Sequence, residues 1–192
     1  MAARGKARVK PKRKMTRTGG GKQKGSAFER DICKRLSLWV SGGVDQDLFW
    51  RSAMSGGRAT LARKKGVTLN RQAGDICAVA PEGHALTNKF YLECKHYKDL
   101  QVGSFMLQDI GLLAKFWRET RAHAKPYGKL PLLIAKQNFV PVMLVTDVHS
   151  LKGWPKPRAT AVCGAAVWLF DDVVWGTLSS KELEDAEDTD NG

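Results

Sequence analysis

A chain of 192 residues, 43% of them hydrophobic, is the size of one ordinary domain with tails and can bury a real core. No apolar run reaches the ~18–20 residues needed to span a bilayer, and the start lacks the apolar stretch of a signal peptide. Cys33, Cys77, Cys94 and Cys163 are scattered, with no CxxC pair and no His at finger spacing, which excludes a disulfide framework and a zinc finger. Reduced thiols and no membrane segment lead us to expect a cytoplasmic protein of a prokaryotic cell or a virus-infected host cell.

The formal charge is +13 and unevenly spread. Residues 1–24 carry ten Lys or Arg and no acid, while Lys181–Gly192 carry six acids and one Lys. The stretch between them keeps 21 basic and 13 acidic residues, so the folded part is itself positive. Such a balance points to a polyanion partner bound by counterion release; solubility alone is the plain alternative.

Residues 1–25 read as a disordered basic arm, able to embrace DNA phosphates or to serve as an import signal. A domain follows over 26–178, and an acidic tail over 179–192 reads as disordered. Ser26 can cap a helix, with Glu29 three residues on as in a capping box. Phe28, Ile32, Leu36, Trp39 and Val40 then recur at helical spacing until Gly42-Gly43 stops the segment. Asp47–Ser52 is short, aromatic and strand-like. Residues 53–72 hold three glycines and five basic residues and read as a mobile cationic loop. Asp75–Ala80 and Lys89–Lys95 are short strands joined by the turn-rich Pro81-Glu82-Gly83. The spacing predicts one helix over 104–124, a buried strand pair over Leu130–Ala135 and Val140–Val145, a strand at Val167–Phe170 and a short helix from Asp171. This order suits a small mixed sheet with helices packed on it.

Asp75, Glu93 and Lys95 carry the chemistry. Residues i and i+2 of a strand share a face, so Glu93 and Lys95 project together while Cys94 points into the core. Pairing of the two strands as a hairpin would bring Asp75 beside Glu93. Two ionised carboxylates at close range repel, and a hard divalent cation with oxygen preference relieves that: Mg²⁺, with Mn²⁺ as a possible substitute. The backbone carbonyl of Cys94 can add a ligand. Lys95 can help activate a water or stabilise a pentavalent phosphorus. An ExK triplet alone is a weak signal, and a solvated strand edge is its plain alternative.

The flanks sharpen the reading. Lys24-Gly25-Ser26-Ala27-Phe28-Glu29-Arg30, Arg51-Ser52-Ala53-Met54-Ser55-Gly56, Gly74-Asp75-Ile76 and Leu92-Glu93-Cys94-Lys95 stand in an order that resembles the archaeal-type Holliday junction resolvases of the PD-(D/E)XK nuclease superfamily. The likeness covers roughly residues 22–100. It implies an α/β, restriction-endonuclease-like αβββαβ core, with a central mixed sheet flanked by helices. It also implies a metal-dependent, structure-selective endonuclease that acts as a homodimer and nicks opposing strands of a four-way DNA junction. Glu29 would join Asp75 and Glu93 at the metal, Lys95 would be catalytic, and Ser55 would lie near the scissile phosphate. Arg30 and Arg51 would contact DNA backbone. The chain departs from the pattern in its longer loop between Ser55 and Asp75, in Gly74 where the family has proline, and in its arm and tail.

The loop cations Arg58, Arg63, Lys64, Lys65 and Arg71 read as reaching over DNA. Lys136 reads equally as a phosphate contact or a strand-end lysine. His84, His96, His123 and His149 have no ligand spacing, and only His96, next to the site lysine, is a candidate base. Trp39, Trp50, Trp117, Trp168 and the cysteines read as core. Two other readings stay open: a restriction-like or repair nuclease acting on duplex, flap or fork DNA, and a catalytically inactive DNA-binding protein of this fold.

Overall fold

The computed structural model describes residues 20–52, 73–147, 149 and 154–176. Its first helix, α1 (Gly20–Val40), turns Phe28, Ile32, Leu36, Trp39 and Val40 inward, and all five are buried. It stops where expected: Gly42 and Gly43 take φ of 64° and 91°, and the Gly43 N–H donates to the Leu38 carbonyl at 2.6 Å. Glycine reaches this left-handed backbone without strain, so it closes the last turn. The start differs from expectation. The helix begins at Gly20, so Ser26 is an interior residue rather than its cap, and residues 20–25 form its first turns. Lys22, Gln23 and Lys24 are good helix formers and extend the helix past the capping signal. Residues 1–19 of the arm, the acidic tail over 179–192 and the cationic loop over 53–72 lie outside the described residues.

β1 (Phe49–Arg51) and β2 (Ile76–Ala78) form a separate antiparallel ribbon with Trp50 opposite Cys77. A 3-10 turn (Pro81–Gly83) and α2 (His84–Lys89) lead into β3 (Phe90–Tyr97). The expected hairpin between the Asp75 and Glu93 strands is absent. The turn-rich segment starts a helix, which lets the chain re-enter in the same direction, and Gly74 bridges Leu92 in parallel. A parallel pairing needs such a crossover, whereas a tight turn would have given the antiparallel one.

The predicted helix over 104–124 is two, α3 (Val102–Gln108) and α4 (Leu112–Ala124), broken at Asp109 and Gly111 with φ of 52° and 96°. There follow β4 (Leu130–Gln137), β5 (Met143–Thr146), β6 (Ala159–Thr160), β7 (Ala166–Leu169) and α5 (Phe170–Gly176). The main sheet runs β3-β4-β5-β7-β6, with β3 parallel to β4 and the other neighbours antiparallel. This is the mixed α/β sandwich of a restriction-endonuclease-like fold, and β3 lies on its edge.

Strand alternation divides the core in two. Leu92, Cys94, Ile134, Leu144 and Trp168 pack toward α1 and α5, while Leu133, Ala135, Val145 and Val167 pack toward Leu113, Phe116 and Trp117 of α4. The central strands are covered on both faces, which is why β4 and β5 read as continuous apolar runs. Trp39, Trp117 and Trp168 are buried as expected, but Trp50 is 60% exposed. Phe49 faces the core, so alternation sends Trp50 outward. Cys33 and Cys94 are buried, whereas Cys163, in the turn before β7, is exposed. No helix among the described residues is long and apolar enough to cross a membrane.

Candidate active site

The site is built along the open edge of β3. Gly74 has φ of 93°, and a Cβ on it would stand 2.5 Å from the Leu92 carbonyl oxygen. Proline, fixed near φ of about −65°, cannot take this backbone; that explains the departure from the resolvase pattern. The close approach lets the Asp75 N–H donate to the Leu92 carbonyl at 2.7 Å, while the Ser52 N–H donates to the Asp75 carbonyl at 2.8 Å. Asp75 Oδ2 then accepts the Cys94 N–H at 2.9 Å, so this carboxylate continues the hydrogen-bond ladder of β3.

Glu93 and Lys95 share the face toward α4, as the two-residue period requires. The Lys95 ammonium donates to Glu93 Oε1 and sits 5.3 Å from the centroid of the Phe116 ring. Tyr91, two residues before Glu93, is on this face too, stacked on Tyr127 with ring centroids 5.9 Å apart. Glu29 approaches from the opposite side. It stands on α1 one residue past Phe28, whose ring packs against His96, and its carboxylate is held by the Arg51 guanidinium. Three acidic side chains thus lie near one strand edge, Glu93 from the α4 side, Glu29 from the α1 side and Asp75 along the edge itself.

Their charges are felt mutually. Burial, and next the Glu93 charge, push the Asp75 carboxyl up from 3.8 to about 7; the Cys94 N–H and Lys95 oppose the rise and Glu29 adds to it. Burial alone would lower the Lys95 pKa, but Glu93 and Asp75 outweigh it and the net direction is up. Lys95 is therefore a cation at neutral pH. The Tyr91 phenol is also pushed up, by burial first and then by the charges of Glu93 and Asp75. Burial pushes the Cys33 thiol, beside the site, up to about 12, so it is no nucleophile.

The Asp75 shift has a sign for stability. Its folded pKa lies above the unfolded one, so its contribution is complete below about 3.8 and is lost as pH rises through about 7. We expect wild-type stability, measured by denaturant titration with a chelator present, to fall by on the order of 3 kcal/mol between pH 4 and 8 from this group. Asp75→Asn should flatten most of that slope. Parallel curves for the two proteins would refute the assignment of the burden to Asp75.

The donor set fits a hard divalent cation in part. The N–H and C=O of one strand residue point to the same edge, so the Cys94 carbonyl faces the side on which its N–H meets Asp75. Asp75, Glu93 and that carbonyl are the oxygen chemistry such an ion takes. Among the described residues no three His, Cys, Asp or Glu side chains close on one point. The Glu29 carboxylate is taken up by Arg51.

Of the remaining expectations, Arg30 is exposed on α1 next to Glu29, and Lys136 is half-buried opposite His96 on β4. His96 Nε2 is 3.3 Å from Asn138 Oδ1 and its ring packs on Phe28, so it is engaged away from Glu93 and Lys95. Ser55, Arg58, Arg63, Lys64, Lys65 and Arg71 lie outside the described residues. Sequence reasoning missed Tyr91 and Phe116. The first was findable, since the period that pairs Glu93 with Lys95 also selects Tyr91; the second is a tertiary contact.

Searches of curated proteins and of solved structures gave no match. Residues 20–161, which span every described element of the site, match the family model described as "Phage putative PDDEXK endonuclease". The match covers well over half of the chain, so the chain belongs to this family of PD-(D/E)XK nucleases.

Proposed function

We propose that this nuclease is a metal-dependent endodeoxyribonuclease that hydrolyses phosphodiester bonds in branched DNA, with the four-way junction as preferred substrate, and that it acts as a homodimer nicking opposing strands. The observation that carries the hydrolytic part is the Asp75–Glu93–Lys95 group on the open edge of β3, with Asp75 driven up by burial beside Glu93. Substrate and dimer rest on the resolvase-like blocks at Glu29, Arg51, Asp75 and Glu93.

Asp75, Glu93 and the Cys94 carbonyl would hold Mg²⁺ or Mn²⁺, with Glu29 joining after exchange of its Arg51 partner. When bound, the ion orients and acidifies a water and offsets charge on the phosphate. Lys95, kept protonated by Glu93 and Asp75, supplies positive charge to the phosphoryl oxygens rather than taking a proton. Ser55, Arg30, Arg51, Lys136 and the loop cations position the DNA backbone, which would make binding steeply salt-dependent.

A second reading keeps the chemistry and changes the substrate to duplex, flap or fork DNA. The family match favours it to this extent: it extends to residue 161, beyond the resolvase-like blocks, and its description names an endonuclease without a junction. Cleavage of a four-way junction, a fork and a plain duplex of shared sequence, at one salt concentration with Mg²⁺ and then Mn²⁺, separates the two. Paired symmetric nicks and a rate at least about tenfold above duplex are expected for the junction; equal rates on all three would discard the junction preference.

A further inference from the structure

Between α1 and β1 lies a groove of about 420 Å³, the size of a small-ligand site, whose lining includes Arg30, Lys34, Asp47, Phe49, Trp50 and Arg51. Three of these are cationic and one is acidic, so the groove complements a negative ligand. Arg30 and Lys34 are four residues apart on α1, both exposed and on one helical face. Neither pairs with an acid among the described residues, whereas their neighbour Arg35 is engaged by Asp31 and Asp171. Trp50, 60% exposed, supplies the indole. An exposed tryptophan inside a cationic concavity, rather than on a convex surface, is costly for solubility and is the composition of a binding hot spot. The groove adjoins the catalytic edge, because Arg51 lines it and also holds Glu29.

We propose that this groove receives an unpaired nucleotide of the DNA substrate, its base stacked on the Trp50 indole and its phosphate held by Arg30 and Lys34. The choice of ligand rests on the endonuclease reading. Stacking on an indole needs a base whose face is free, and the two ammonium and guanidinium groups match the adjoining backbone charge. A fully paired base has no free face to offer. The groove therefore selects branch points, flaps or gaps over continuous duplex, and it gives the enzyme a physical basis for structure selectivity on the chain itself.

The test uses the full chain with a chelator present, so that binding is read apart from cleavage. Two DNAs of identical sequence are compared, one fully paired and one with a single unpaired 2-aminopurine. Wild type should bind the second about tenfold more tightly and quench its fluorescence. Trp50→Ala should lose both the preference and the quenching, Trp50→Phe should keep most of each, and affinity for the paired DNA should not move. Arg30→Gln with Lys34→Gln, at exposed positions the fold does not depend on, should lower the salt slope for the unpaired DNA by about two. Should Trp50→Ala fail to fold, the Trp50→Phe and the double variant decide alone. Wild-type discrimination surviving in Trp50→Ala or in the double variant would overturn the proposal, as would a change of oligomeric state in Trp50→Ala, which would assign the groove to a second copy. The nuclease reading has its own failure, absence of cleavage by wild type in Mg²⁺ and Mn²⁺, which these binding measurements leave untouched.

Discussion

Lys95→Ala is expected to lower the metal-dependent cleavage rate at least about 10³-fold while the DNA dissociation constant changes by less than about threefold. The argument is electrostatic. The ammonium sits between Glu93 and the Phe116 ring, and the two carboxylates Glu93 and Asp75 hold it protonated. Its charge is therefore available to the phosphate as negative charge accumulates there, a state that exists only in the reaction and not in the bound complex. An interaction made only in the transition state is lost from the rate and not from the affinity. Asp75→Asn and Glu93→Gln should each lose cleavage to a similar extent, since either removes an oxygen charge from the same edge. Arginine at position 95 should restore little, because its planar fork is a poor replacement for a compact ammonium packed on Phe116. Single-turnover cleavage and equilibrium binding of the same DNA give the two numbers. Near wild-type cleavage by any of the three alanine or amide variants would end the assignment of the site.

Gly74→Ala should be the second large effect, and it acts without touching a charge. The new methyl group would meet the Leu92 carbonyl oxygen at 2.5 Å in a backbone at φ of 93° that side chains disfavour. Left-handed backbone alone costs about 1–2 kcal/mol for a residue with a Cβ, and the forced separation from β3 adds to it. A loss of about 2–4 kcal/mol is expected in denaturant titration. Separation also breaks the Asp75–Leu92 and Cys94–Asp75 hydrogen bonds that aim the carboxylate. A displacement of about 1 Å is enough for a further ~100-fold loss of rate. Gly103→Ala is the contrast, because a Cβ there meets nothing within 4 Å and the residue lies inside α3. That variant should hold or slightly raise stability. A Gly74→Ala protein as stable and as active as wild type would show that the bridge to Leu92 does not position Asp75.

The primary structure by itself determined what depends on period and local chemistry. The face of α1, the stop at Gly42-Gly43, the buried pair β4 and β5, and the common side of Glu93 and Lys95 all follow from repeats of 3.6 or 2 residues, which are properties of a single element. The candidate residues of the site came instead from the resemblance, as short blocks in a fixed order. What only tertiary structure decided is how separate elements meet. Whether the Asp75 strand runs with or against β3 depends on α2, a six-residue helix grown from a segment that reads as a turn. Why position 74 is glycine became clear only with the Leu92 carbonyl beside it. Trp50 reads as core in an apolar stretch, yet it faces out because Phe49 takes the inward place in a ribbon that lies off the main sheet. Glu29 was named by the resemblance alone, and neither its partner Arg51 nor its approach from the opposite side of β3 could be read from the sequence. Those are distances between side chains remote along the chain, set by the packing of α1 and α4 on the two faces of one strand, and no periodicity within either helix encodes them.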